Sequence, residues 1–204
     1  ASTATGDLDA MGLNAGNFNS ASDGSLSGTG VIDGGVSAVS TGGASIATGD
    51  FDATGISALQ DMTVGGVLDL TGQAQTTADV SAESVASTAT ATSGLSSISG
   101  IVNADLNGSS DGSVLGTAFG DFSTSAESTA ADATAAGSQS LVGMQTMEID
   151  FGGTGSISAI AQDANFVEAS SVTGNASATA SVDAVGLDGG TVNIASDAVL
   201  TSSV

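Results

Sequence analysis

Asp7 and Asp9 stand two residues apart, and Asp50 and Asp52 repeat that spacing 43 residues later. On an extended strand alternate residues share one side. Each pair therefore aims two carboxylates the same way, and oxygen donors of this kind suit Ca2+. These four aspartates are the candidate metal ligands. The rest of the chemistry is bounded by absence. The chain carries 22 carboxylates and no Lys, Arg, His or Cys. General acid–base work is left to Asp and Glu, and nucleophilic attack to Ser, Thr or a carboxylate. A Ser-His-Asp triad and a zinc site built from His and Cys are excluded. The expectation is that the protein is not an enzyme and takes no cofactor beyond calcium.

The formal charge of −22 also sorts partners. Phosphate binding depends on Lys and Arg, so nucleic acid is not an expected partner, and neither is an anionic membrane surface. No apolar run reaches the ~18 residues of a membrane helix, so no membrane insertion is expected. The chain opens Ala1-Ser2-Thr3 rather than with Met. That suits a mature secreted protein, placed outside the cell or on its surface.

The twin aspartate pairs belong to a longer recurrence. GDLDAMGLNA at 6–15 returns as GDFDATGISA at 49–58. The pattern appears again at Val182-Asp183-Ala184-Val185-Gly186-Leu187, and more loosely before Gly100-Ile101 and Gly143-Met144. Glycines 12, 55, 100, 143 and 186 are separated by 43, 45, 43 and 43 residues. A second column follows: Phe18-Asn19, Met62-Thr63, Leu106-Asn107, Ile149-Asp150 and Val192-Asn193. Alternate copies add Asp23-Gly24, Asp111-Gly112 and Asp197-Ala198, and Ser81-Ala82-Glu83-Ser84 returns as Ser125–Ser128. Several columns sharing one spacing mark a repeat array. Four repeats fill 12–185, with part-repeats at 1–11 and 186–204, in one domain over 1–204.

The elements that position these columns read as strands. In 74–82 and 176–184 the even positions hold Ala, Val and one Thr, and the odd positions hold Gln, Thr, Asp and Ser, the period of a strand with two unlike faces. Paired glycines and Asp-Gly dipeptides punctuate them. The Ala-rich run 126–136 also fits a helix. Gly, Ser, Thr and high charge favour disorder, but the ordered apolar positions and mean hydropathy of +0.31 argue for folding. The fold class is all-β. The favoured architecture is a parallel β-solenoid of about five repeats of 43–45 residues, each read as two coils of about 22 residues. An antiparallel β-sandwich with a donated N-terminal strand is the alternative. A propeller would want more aromatic wedges than six Phe provide.

On a solenoid like residues stack. Asn19, Asn107, Asp150 and Asn193 are then expected as an inward polar ladder, and the Gly column at corners that need positive φ or close backbone approach. The ends are the candidate polymer contacts: Ala1, Gly6 and Leu8 on one side, Val192, Ile194, Val199 and Leu200 on the other. Unpaired strand edges template another chain, and a head-to-tail contact that does not close makes a filament. The partner expected is another copy of the same chain.

The five Gly/Asn/Ser-rich strand–turn–strand units resemble, in repeat style, the curlins of bacterial secreted fibres. That resemblance implies an extracellular, self-assembling, non-enzymatic role. Gly152-Gly153-Thr154-Gly155-Ser156-Ile157 half-resembles the calcium-binding nonapeptide of RTX proteins, with Ser156 where that pattern has Asp. Rival readings are a calcium-dependent adhesin stalk or surface-layer module, and an ice-binding solenoid suggested by Thr88-Ala89-Thr90-Ala91-Thr92. Asn107 and Asn175 fit glycosylation sequons.

Overall fold

The computed structural model describes residues 1–58 and 62–204. Every regular element among them is a strand. In chain order these are Ser2–Ala15 (β1), Phe18–Ser20 (β2), Gly24–Ser40 (β3), Ser45–Ala58 (β4), Met62–Val64 (β5), Leu68–Ser84 (β6), Ala89–Gly108 (β7), Gly112–Ser128 (β8), Ala133–Phe151 (β9), Gly155–Ser171 (β10), Ala176–Ile194 (β11) and Ala198–Ser203 (β12). All pairings are parallel. Sheet A contains β1, β2, β4, β5, β7, β9 and β11, and sheet B runs β12-β10-β8-β6-β3. The chain alternates between the sheets, which makes a parallel β-solenoid. The sandwich reading is thereby set aside, and the run 126–136 is strand, corner and strand rather than helix.

One repeat is one coil, not two. Ser2 pairs with Ser45, Ser45 with Ala89, Ala89 with Ala133, and Ala133 with Ala176. Each coil spends one long pass in each sheet, which is why the strands reach 17–20 residues. Backbone hydrogen bonds also link coil to coil at the corners, as in Leu68 N–H to Asp111 O (3.0 Å) and Ala89 N–H to Asp132 O (3.1 Å). The uneven spacing has a local cause. β4 and β7 pair with an offset of 44 through Gly49↔Ser93 and of 45 from Ala53↔Ile98. β7 holds one extra residue at this bulge, and the offset to β9 falls back from 44 to 43 across it. A bulge adds a residue to one strand without ending the pairing, and it turns Leu95 outward.

The recurring glycines lie in mid-strand, not at corners, and no described glycine has positive φ. They are where the two sheets touch. A Cβ on Gly100 would strike the backbone of Thr117 in sheet B, and one on Gly116 would strike the carbonyl of Gly143. Gly55 against Gln73 and Gly143 against Ile160 repeat the contact. Close backbone approach was therefore the correct half of the expectation. At this waist the inside–outside phase flips, since Gly55-Ile56, Gly100-Ile101 and Gly143-Met144 are all buried as neighbours. The interior splits accordingly. One cluster, around Phe51, Ile98, Phe122 and Leu141, lies before the waist. The other, around Ile56, Leu68, Leu106, Met144 and Phe151, lies beyond it. Phe51 and Phe122 meet edge to face at 6.3 Å, a favoured aromatic geometry.

Candidate functional site

The two kinds of corner explain the alternating repeat. After sheet A, odd coils turn through an Asp and even coils through paired glycines. Asp23 Oδ1 accepts the Val67 N–H at 2.9 Å, and Asp111 Oδ1 accepts the Thr154 N–H at 2.8 Å. Side chains on Gly66 and Gly153 would occupy the space of those carboxylates. Gly152 and Gly153, whose stretch half-matched a calcium loop, thus accommodate Ser109 and Asp111 of the coil before. The backbone hydrogen bond from Thr154, joined by its side chain, holds the Asp111 carboxyl below the ordinary carboxylate value.

The opposite corner carries a ladder of serines. Ser40, Ser84, Ser128 and Ser171 stack in register. Ser84 Oγ donates to Gly43 O (2.8 Å), Ser128 Oγ to Ser87 O (2.8 Å), and Ser171 Oγ to Ala131 O (2.7 Å). Each hydroxyl also accepts an N–H from its own turn, at Ser87, Ala131 and Gly174 respectively. Sequence reasoning missed this ladder, although the recurrence of Ser81–Ser84 as Ser125–Ser128 contained its signal.

The predicted ladder residues do stack: Asn19 opposite Thr63, Thr63 opposite Asn107, Asn107 opposite Asp150, and Asp150 opposite Asn193. They do not point inward. Asn19, Asn107 and Asn193 are exposed and Asp150 is half-buried, while Met62, Leu106 and Ile149 beside them fill the core. Parallel strands stack like with like on both faces, and the apolar partner at each step takes the inside.

Asp7 faces Asp50, and Asp9 faces Asp52, across the β1–β4 pair. All four lie on the outer side of sheet A. Among the described residues no three carboxylates gather with a geometry that could hold a metal. Asp50 Oδ1 is buried without a hydrogen-bond partner, and Asp52 Oδ1 accepts the Ser97 N–H at 2.8 Å. Burial first, then the charges of Asp52 and Asp7, push the Asp50 carboxyl up, against a lowering bond from the Phe51 backbone. Glu83 opposite Glu127 is a further like-charged pair. Inside the solenoid, burial and then Asp121 raise the Asp163 carboxyl.

The expected contact residues fall on the two end coils. Gly6 and Leu8 lie on β1, and Ala1 just before it. Val192 and Ile194 lie on β11, and Val199 and Leu200 on β12. Within the described chain β1 and β3 pair on one side only, as do β11 and β12. The interior column opens there: Leu8 is 43 % exposed while its partner Phe51 is 0 %, and Leu200 is 55 % exposed while its partner Ile157 is 0 %. No family model, curated protein or solved structure matches this chain.

Proposed function

We propose that this protein is an extracellular structural solenoid that polymerises head to tail into a filament or matrix fibre. The observation that carries this reading is the pair of open end coils. Among the described residues each presents an unpaired parallel strand edge with core side chains, Leu8 on one and Leu200 on the other, half out of the core. An unpaired edge of this kind is completed by another strand, and the two edges differ, so the contact is heterologous and does not close. The outer faces, rich in carboxylates and free of cations, keep the sides of such a fibre soluble and mutually repelling. That directs association to the ends.

Deletion of residues 1–11 tests this. The shortened chain should stay a single species by analytical ultracentrifugation under conditions where the intact chain sediments as a distribution of long polymers. Polymers of unchanged length from the deletion would overturn the reading.

A further inference from the structure

The outer face of sheet A carries a two-dimensional lattice that end-to-end assembly does not use. Thr3, Ile46, Thr90, Thr134 and Ser177 stack in one column, and Thr5, Thr48, Thr92, Ala136 and Thr179 in the next. Seven of these ten outward positions are Thr, and none is charged, on a chain with 22 carboxylates. The residue between each pair is always alanine: Ala4, Ala47, Ala91, Ala135 and Ala178. Ala47, Ala91 and Ala135 are fully buried, so the lattice is backed by packed core. The register runs unbroken through all five coils here, because the bulge of β7 lies beyond Ser93. Among the described residues none of the seven threonine hydroxyls is spent on a hydrogen bond.

We propose that this face binds a plane of ice. Neighbouring strands repeat at about 4.8 Å and alternate residues along a strand at about 6.6 Å. The threonines therefore form a rectangular net of hydroxyls and methyls, of the order at which oxygen atoms repeat in the faces of ice. The hydroxyls anchor water molecules, and the methyl ranks order those that lie in the troughs between them. A neutral, rigid, periodic surface suits a neutral, periodic ligand. Stacking on a sugar ring would require aromatic side chains, and binding of an ion or charged polymer would require charge; the lattice has neither.

The test is thermal hysteresis and ice-crystal shape with the purified 204-residue chain, the variant Thr48→Lys/Thr92→Lys, and the control Gln75→Lys on the outer face of sheet B. Circular dichroism checks that each variant keeps its β-structure. The intact chain and Gln75→Lys should shape crystals and produce hysteresis, and Thr48→Lys/Thr92→Lys should lose both. Round, unshaped crystals with the intact chain would overturn the proposal. So would full activity in the double variant. Should the double variant misfold, Thr92→Gln takes its place with the same expected loss.

Discussion

Asp111 of one coil reaches over Gly153 of the next and accepts the Thr154 N–H at 2.8 Å. The same relation joins Asp23 to Gly66 and Val67. Coil stacking is thus specified by a side chain on one coil and the absence of one on its neighbour. Asp111→Ala should lower the melting temperature at neutral pH. Because the folded carboxyl lies below its ordinary value of about 3.9, its contribution is present above that value and fades as pH falls through the folded pKa. The difference between wild type and variant should shrink in acid, as thermal melts across pH would show.

Asp50 and Asp163 should behave in the opposite sense. Their carboxyls are raised, so the folded chain binds those protons more tightly than the unfolded chain, and at neutral pH each carboxylate opposes folding. Asp50→Asn and Asp163→Asn should raise the melting temperature at neutral pH. The advantage should vanish as pH falls through the raised folded pKa values toward the ordinary range.

Gly100→Ala should be far more damaging than its single methyl suggests. The new Cβ meets the Thr117 backbone and the carbonyl of Gly143, which cannot move aside as a side chain would. Overpacking of this kind costs about 1–3 kcal/mol, and more where backbone is the obstacle. Gly42→Ala, where a Cβ meets nothing within 4 Å, should leave the urea midpoint within error of wild type.

Facing carboxylates should make stability depend on ionic strength. Asp7 with Asp50, Asp9 with Asp52, and Glu83 with Glu127 repel across neighbouring strands, and salt screens such pairs. Sodium chloride should raise the melting temperature. EDTA should leave it unchanged, since no carboxylate cluster able to hold a metal forms among the described residues. A calcium-specific increase at matched ionic strength would restore a metal role for those aspartates.

The stacking columns were legible in the sequence because a parallel solenoid keeps a fixed period. The Asn19 column and the pairing of Asp7 with Asp50 lie one repeat apart, as their spacing implied, although that repeat is one coil rather than two. Direction was less legible. Asn19 and its partners were placed inside, yet the phase flip at Gly55-Ile56 reverses which neighbour faces the core, and period-two reading cannot see a flip of one residue. Coil length was misjudged for a related reason. Asp33-Gly34-Gly35 and Asp188-Gly189-Gly190 read as turn punctuation, but they lie within the long strands β3 and β11. Of the threonine lattice, sequence shows only the rank at Thr90 and Thr92; its extent is hidden because Ile46 and Ala136 interrupt it in sequence, while the register joins its parts in space.

The junction between copies makes a sharper prediction. Within the chain, Asp23 and Asp111 each sit over a glycine. Asp197 would meet Ser22 of the next copy instead, the position that Gly66 and Gly153 occupy in their coils. Ser22→Gly should therefore lower the concentration at which polymers form, as light scattering would report.

End-to-end assembly is read out by negative-stain electron microscopy of the purified chain. Unbranched filaments of uniform width are expected. Single compact particles at every concentration would contradict such assembly.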